Sequence, residues 1–138
     1  MSAPITIRMG GYGPPTTGFS QSLKFIGDKL KAQFGDRVDV KYVWNIMDFG
    51  YKAEEILFLV ESGILTLGYQ SSSYLTDRVP ELSFVDMPFL FDSTDTARGA
   101  MDGALGKRLE QAFQEGDFRA ESRERVFFAE DLEICQRH

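Results

Sequence analysis

A chain of 138 residues with 43% hydrophobic and 26% charged residues is large and apolar enough for one folded domain, which excludes a wholly disordered protein. Its net charge of −6 argues against a nucleic-acid-binding surface, because phosphate contacts require clustered lysine and arginine. No apolar run approaches the roughly 20 residues of a transmembrane helix, and the single cysteine excludes an internal disulfide.

Two strands and a helix are predicted in the first third of the chain. Ile5 to Met9 alternates in polarity, as a strand does. The following loop, Gly10 to Gly18, matches neither common nucleotide-binding glycine motif, so we expect a backbone that turns tightly and approaches a neighbouring group closely. Apolar residues at three- and four-residue spacing predict a helix over Ser20 to Phe34, ended by Gly35, and Val38 to Trp44 predicts a second strand.

The alternation of helix and strand continues. Tyr51 to Ser62 predicts a second helix that ends at Gly63, and Ile64 to Tyr69 predicts a third strand. Four residues of the second helix are expected to face inward: Ala53, Ile56, Leu57 and Val60. Ser71 to Arg78 predicts a short helix, since its three serines suit a helix start better than a helix interior.

The stretch Pro80 to Asp92 predicts a fourth strand buried on both faces, because it is rich in apolar and aromatic residues. Pro88 lies within it and cannot donate to a sheet ladder, so we expect the ladder to end near Asp86 or Met87. Such an exit would direct Phe89 to Phe91 toward the mouth of a cleft.

Two further helices and a charged tail complete the chain. Ser93 to Asp95 supply caps for one of these helices, and the other begins at Gly103. The tail, residues 116–138, alternates in charge and predicts an amphipathic helix from about Glu121, a frayed end, or a non-native continuation. We therefore predict an α/β domain over residues 1–115, followed by this tail.

The order of these elements predicts an α/β fold with a parallel-dominated sheet and helices on both faces. Ligands of such sheets bind beyond the carboxyl ends of the strands, where the loops of this chain are rich in aromatic and amide residues. Eight candidate ligand-binding residues lie there: Tyr12, Trp44, Asn45, Tyr69, Gln70, Ser71, Ser72 and Tyr74. For each of them, loop packing or helix capping is the alternative.

No convincing catalytic constellation is present in the sequence. The only histidine is the last residue, His138, which argues against a histidine base and a histidine-containing metal site. Cys135 lies in the charged tail without an activating partner. We therefore expect no enzyme, no metal and no cofactor. A small doubly wound enzyme or flavin-binding protein is the alternative, because fold does not determine function.

A pattern of four pieces runs through the middle of the chain: Gly63, Ile64 to Tyr69, Pro80-Glu81-Leu82, and Met87-Pro88-Phe89-Leu90-Phe91. It resembles the extracytoplasmic solute-binding proteins of TRAP transporters, the DctP type, and the resemblance covers about Ile5 to Gln114. It implies the N-terminal lobe of a two-lobed periplasmic receptor that closes over an organic acid. The candidate ligand-binding residues would line this lobe's side of the cleft.

The resemblance also implies partners and a location. The expected partners are a small organic acid and the membrane subunits of a TRAP transporter, with no nucleic acid. The N-terminus lacks the basic and apolar regions of a signal peptide, so the residues alone leave a cytoplasmic protein or a removed leader. The resemblance favours the second, with a periplasmic location.

One departure from the family concerns the end of the chain. Family members continue into a second lobe, from which an arginine typically holds the ligand carboxylate, whereas the stretch from Gly116 does not resemble that continuation. We therefore expect a truncated lobe or a frame change near Gln114 to Gly116. Half a cleft should bind weakly, and the exposed apolar surface of an incomplete lobe leaves homo-oligomerisation open.

Overall fold

The computed structural model of the protein describes residues 2–116 and divides the chain into two compact units, residues 1–70 and 71–138. From residue 117 onward the charged tail lies outside the described residues, together with Cys135 and His138. The predicted helix in the tail and the predicted boundary at residue 115 therefore stay predictions.

The first unit is built on a parallel sheet of three strands in the order β2-β1-β3. Strand β1 spans Ile5–Gly10, β2 spans Val38–Val43 and β3 spans Leu67–Gly68. The predicted parallel sheet is confirmed, but β3 is shorter than predicted. The Leu65 amide donates to the Leu59 carbonyl at 2.9 Å instead of to a strand, and contact with β1 begins at Thr66, whose amide donates to the Arg8 carbonyl at 2.8 Å.

Helix α1 spans Gly18–Phe34. It starts at Thr17, whose hydroxyl oxygen accepts a hydrogen bond from the Ser20 amide at 3.4 Å. It ends at Gly35, whose φ of 55° is favourable for glycine and costly for other residues. The predicted end is confirmed, and the start lies two residues before the predicted one because a threonine supplies the cap.

Helix α2 spans only Ile56–Glu61, and a 3-10 turn over Ala53–Glu55 precedes it. The Glu55 carboxylate accepts a hydrogen bond from the Lys52 amide at 2.5 Å, which tightens this first turn. Of the predicted inward face, Ile56 is buried, whereas Ala53, Leu57 and Val60 are half-buried; Leu59, which was not predicted, is buried. The helix therefore turns a slightly different side to the core than the sequence spacing indicates.

Two apolar clusters flank the sheet. The α1 core consists of Met9, Leu23 and Val40, and the α2 core of Ile46, Ile56, Leu59 and Leu65. Because successive residues of a strand point to opposite faces, Met9 joins the α1 core while the neighbouring Gly10 lies against Leu65 of the α2 core. The predicted α/β fold with helices on both faces is therefore confirmed.

The second unit contains no strand within its described part, residues 71–116. It consists of 3-10 turns over Ser72–Leu75 and Pro80–Phe84, followed by helices α3, Thr94–Met101, and α4, Ala104–Glu115. Ser93 caps α3 as predicted, since its hydroxyl oxygen accepts a hydrogen bond from the Thr96 amide at 3.1 Å.

The predicted fourth strand over Pro80 to Asp92 is wrong. Pro80 starts a 3-10 turn instead, a position in which its missing amide hydrogen is no loss, and the Leu82 amide donates to the Val79 carbonyl at 3.0 Å. Most of the apolar side chains that follow are solvent-accessible, and Phe89 is fully exposed at a φ of 60°. An apolar run of this length does not by itself distinguish a buried strand from other structure.

Helix α4 supplies three buried apolar side chains to the second unit. Leu109, Ala112 and Phe113 are buried, as are Val79 and Leu82 from the preceding turns. On the outside, the Arg108 guanidinium lies 3.6 Å from a carboxylate oxygen of Glu81. Among residues 2–116, no helix has both the length and the hydropathy that crossing a bilayer requires.

Replacing Leu59 with alanine should lower the free energy of unfolding by about 2–5 kcal/mol, because it leaves a cavity in the α2 core. The control is Phe58→Ala on the same helix, whose side chain is 56% exposed and whose loss should cost only about 0.5 kcal/mol. Urea denaturation followed by circular dichroism measures both. Equal losses would show that α2 turns a different face inward.

Candidate functional site

The carboxyl ends of all three strands meet at one edge of the first unit's sheet, because the strands are parallel. Three segments leave the sheet there: residues 11–17 after β1, residues 44–45 after β2, and residues 69–70 after β3. Five of the eight candidate residues belong to these segments. This edge is therefore the candidate site of the first unit.

Backbone hydrogen bonds tie the loop after β1 to the loop after β2. The Gly11 amide donates to the Val43 carbonyl at 3.1 Å, and the Gly13 amide donates to the Trp44 carbonyl at 3.2 Å. In the other direction, the Ile46 amide donates to the Gly11 carbonyl at 2.9 Å. Tyr12 and Asn45 thus form an isolated antiparallel bridge, and the two loops are fixed relative to each other.

Tyr69 anchors the end of β3 to the same loop. Its hydroxyl oxygen accepts a hydrogen bond from the Tyr12 amide at 3.1 Å, and the two rings lie 5.0 Å apart at 57°. A Cβ at Gly11 would collide with the Tyr69 ring, and one at Gly13 would lie 3.2 Å from the Tyr69 hydroxyl. The prediction that the glycine loop approaches a neighbouring group closely is therefore confirmed, and that group is Tyr69.

Phe19 completes the aromatic cluster. Its ring stacks on Tyr69 at 5.2 Å and 27°, although 61% of its side chain remains exposed. Phe19 is not among the residues predicted from the sequence, because the predicted helix starts at Ser20. Recognising Thr17 as the cap would have placed Phe19 in the first turn, directly after the glycine loop.

Trp44 is half-buried and stacks on Tyr42, with ring centroids 4.4 Å apart and an interplanar angle of 4°. The Tyr42 hydroxyl donates to the Lys24 carbonyl of α1 at 3.4 Å. Burial raises the pKa of Tyr42, and the negative charge of Asp28 raises it further. This pair joins β2 to α1 and fixes the orientation of the Trp44 ring.

The start of α1 supplies the electrostatic character of the edge. The Ser20 hydroxyl, which is buried, donates to the Gly13 carbonyl at 3.1 Å and so holds the loop against the helix. The partial positive charge of a helix N-terminus favours a bound anion. The first turn of α1 has no carboxylate that would repel such an anion.

The two predicted amide side chains bind backbone groups. Asn45 Oδ1 accepts a hydrogen bond from the Met47 amide at 3.1 Å and caps the turn that follows β2. Gln70 Oε1 accepts from the Leu57 amide at 3.1 Å, and its Nε2 donates to the Glu54 carbonyl at 2.9 Å. Both side chains therefore help to shape the loops of the edge.

The remaining three candidates, Ser71, Ser72 and Tyr74, belong to the second unit. The hydroxyls of Ser71 and Ser73 lie 2.9 Å apart, and the Ser72 hydroxyl donates to Asp86 at 3.5 Å. Tyr74 is 45% exposed. Within the first unit, the structure brings Tyr12, Asn45 and Tyr69 together with the Trp44 backbone, and it supplies rings, amides and hydroxyls.

Comparison with known proteins gives a family match over most of the chain. The family described as "Bacterial extracellular solute-binding protein, family 7", DctP, matches residues 14–120. A "Solute-binding protein" of Verminephrobacter eiseniae is 30% identical over 92 residues, which make up 67% of this chain and 27% of that protein.

Two solved structures have a similar fold. A TRAP periplasmic solute-binding protein from Polaromonas sp. JS666, bound to D-erythronate, is 26% identical with a TM-score of 0.69 and covers 80% of this chain. A second, from Sulfurospirillum deleyianum with bound succinate, is 24% identical with a TM-score of 0.75 and covers 83%. This chain spans 36% of each of them, or about a third of their length.

Replacing Tyr69 with phenylalanine should lower the free energy of unfolding by about 1 kcal/mol, because the part-buried Tyr12 amide loses its hydrogen-bond acceptor. The matched control is Tyr51→Phe, since Tyr51 packs against the α2 core through its ring. Urea denaturation compares the two. A loss no greater for Tyr69→Phe than for Tyr51→Phe would contradict the importance of this hydrogen bond.

The raised pKa of Tyr42 predicts a loss of stability at high pH. The folded state favours the protonated phenol of Tyr42. Its contribution to the free energy of unfolding is therefore complete below the ordinary tyrosine pKa of 10.0, and it is lost as the pH rises through the higher pKa of Tyr42 in the folded state. Thermal unfolding from pH 8 to pH 11 should show a smaller alkaline loss for Tyr42→Phe than for the unmodified chain. The same slope in both proteins would refute it.

Proposed function

The chain belongs to the family of bacterial extracellular solute-binding proteins, family 7, and from this we propose that it captures a small organic acid anion for the membrane subunits of a TRAP transporter. The family consists of periplasmic transport receptors rather than enzymes. We extend both properties to this chain, as a periplasmic protein without catalytic activity. Homo-oligomerisation stays a prediction.

The observation that carries the proposal is the aromatic cluster of Tyr12, Tyr69 and Phe19 beside the N-terminus of α1. Aromatic faces pack against the C–H groups of a small solute, while hydroxyls and amides orient its polar groups. The helix N-terminus favours the negative charge of a carboxylate. Together these groups suit a small, hydroxylated carboxylate.

The chemical class of the ligand is supported by the Polaromonas protein. Its structure holds D-erythronate, a small hydroxy acid, and it is 26% identical to this chain. We therefore propose a hydroxy acid of similar size. The proposed contacts at the edge of the first unit are Tyr12, Phe19, Trp44, Asn45 and Tyr69, and Gln70 shapes that edge through its hydrogen bonds to α2. Ser71, Ser72 and Tyr74 belong to the second unit and stay predicted ligand-binding residues.

Because this chain spans 36% of that neighbour, we propose that it contributes one side of a cleft. The resemblance places the arginine that holds the carboxylate in a second lobe, so the affinity of this chain alone should be low. Discrimination between charged and neutral solutes is then a better test of the proposal than affinity.

Titration with D-erythronate and with the neutral polyol erythritol tests the ligand class. D-erythronate should bind at least about tenfold more tightly, since one charge-assisted hydrogen bond contributes about 1.5–3 kcal/mol. Trp44 is the only tryptophan and directly follows β2 at this edge, so its fluorescence is a suitable signal for the titration. Equal affinities for the two solutes, or chemical turnover of D-erythronate detected by NMR, would overturn the proposal.

A pair of variants tests the aromatic cluster. Phe19→Ala should weaken D-erythronate binding by about two- to tenfold, because the solute loses an aromatic face worth about 0.5–1.5 kcal/mol. Phe58→Ala is the matched control, with a side chain that is 56% exposed compared with 61% for Phe19. It should leave the affinity unchanged. Equal effects of both substitutions would place the ligand elsewhere.

A further inference from the structure

The side-chain amide of Gln70 is hydrogen-bonded at both ends to the start of α2. It accepts from the Leu57 amide, one of the first amides of the helix and therefore without a partner inside the helix, and it donates to the Glu54 carbonyl. The orientation of the amide is unambiguous, because a flipped group would place donor against donor and acceptor against acceptor. Gln70 thus ties the chain after β3 to α2.

The two residues before Gln70 are equally constrained. Tyr69 is held from the loop after β1, through its hydroxyl and its ring. Gly68 lies so close to α2 and β1 that a Cβ there would be 2.8 Å from a methyl group of Ile56 in α2 and 3.1 Å from the Gly10 carbonyl oxygen in β1. Residues 68–70 are therefore fixed from two sides, by α2 and by the glycine loop.

We propose that Gln70 is a positioning residue, which holds Tyr69 in place and acts on the ligand through the Tyr69 ring rather than through direct contact. The ring lies against Gly11 and Gly13 without room for a methyl group at Gly11, so a shift of the backbone at residue 70 disturbs this packing. The positioning itself is a property of the folded chain. Only its consequence for ligand affinity rests on the proposed function.

Hydrogen exchange measured by NMR tests the positioning without a ligand. In Gln70→Leu, the Leu57 amide loses its acceptor and should exchange about fivefold faster. If Gln70 positions Tyr69, the Tyr12 amide, which donates to the Tyr69 hydroxyl, should also exchange about fivefold faster. The amide of Ile26, inside α1, should keep its rate and serves as the reference for global unfolding.

Three outcomes of this experiment would overturn the proposal. Faster exchange at Leu57 alone would make Gln70 a helix cap and nothing more. An equal increase at Leu57, Tyr12 and Ile26 would indicate a general loss of stability. No increase at all would show that the hydrogen bonds of Gln70 do not protect these amides. Gln111→Leu on α4 is the control, because the side-chain amide of Gln111 donates to Glu115 of its own helix.

The Gln70→Glu variant supplies a chemical rescue. A protonated carboxyl group offers one acceptor and one donor, as the amide does, whereas a carboxylate only accepts and would face the Glu54 carbonyl. Protection of Tyr12 relative to Ile26 should therefore match the unmodified chain at about pH 3.5 and fall at about pH 6, on either side of the usual glutamate pKa of about 4.3. A ratio that does not change with pH contradicts the proposal.

The other titratable groups at the start of α2, Lys52, Glu54 and Glu55, are present in both proteins, so the unmodified chain measured in parallel accounts for them.

Titration with D-erythronate then connects positioning to function. Gln70→Leu should weaken binding by a factor similar to Tyr69→Leu, and the double variant should bind no more weakly than either single one. Additive losses would mean direct contact by Gln70. Absence of binding in the unmodified chain would count against the proposed function and leave the exchange result standing.

Discussion

The ring of Tyr69 lies so close to the glycine loop that Gly11 has no room for a side chain. This packing connects the carboxyl ends of β1 and β3, and three backbone hydrogen bonds extend the connection to β2. In many open α/β sheets, a ligand occupies the space beyond such strand ends. Here an aromatic side chain fills part of that space, so the edge offers ring faces and hydroxyls in place of a deep glycine-lined cradle.

The elements that depend on local sequence could be predicted. Strands β1 and β2 follow from alternation, and α1 follows from the spacing of its apolar residues, because these patterns report which side of an element is buried. The stretch Pro80 to Asp92 could not be assigned in this way. Its many apolar residues follow no regular period, and whether it pairs with a strand depends on partners distant in the sequence.

For the candidate site, the sequence predicts where the residues lie but not which side chains they contact. Tyr12, Trp44, Asn45 and Tyr69 do lie at the strand ends, as the βαβ order requires. The hydrogen bonds of Gln70 join residues 13 and 16 positions apart, and no local pattern encodes them. The stacking of Phe19 on Tyr69 spans 50 positions and is equally invisible to periodicity.

The direction of β1, the central strand of the sheet, has a practical consequence. Its first residue, Ile5, lies at the amino end of the sheet, whereas the site lies at the carboxyl end, about 20 Å away for a strand of six residues. A fluorophore, a surface linker or a fusion partner attached before Ile5 would therefore project from the end of the first unit opposite the candidate site. Immobilisation through the N-terminus should thus leave that edge free to meet solutes in a biosensor.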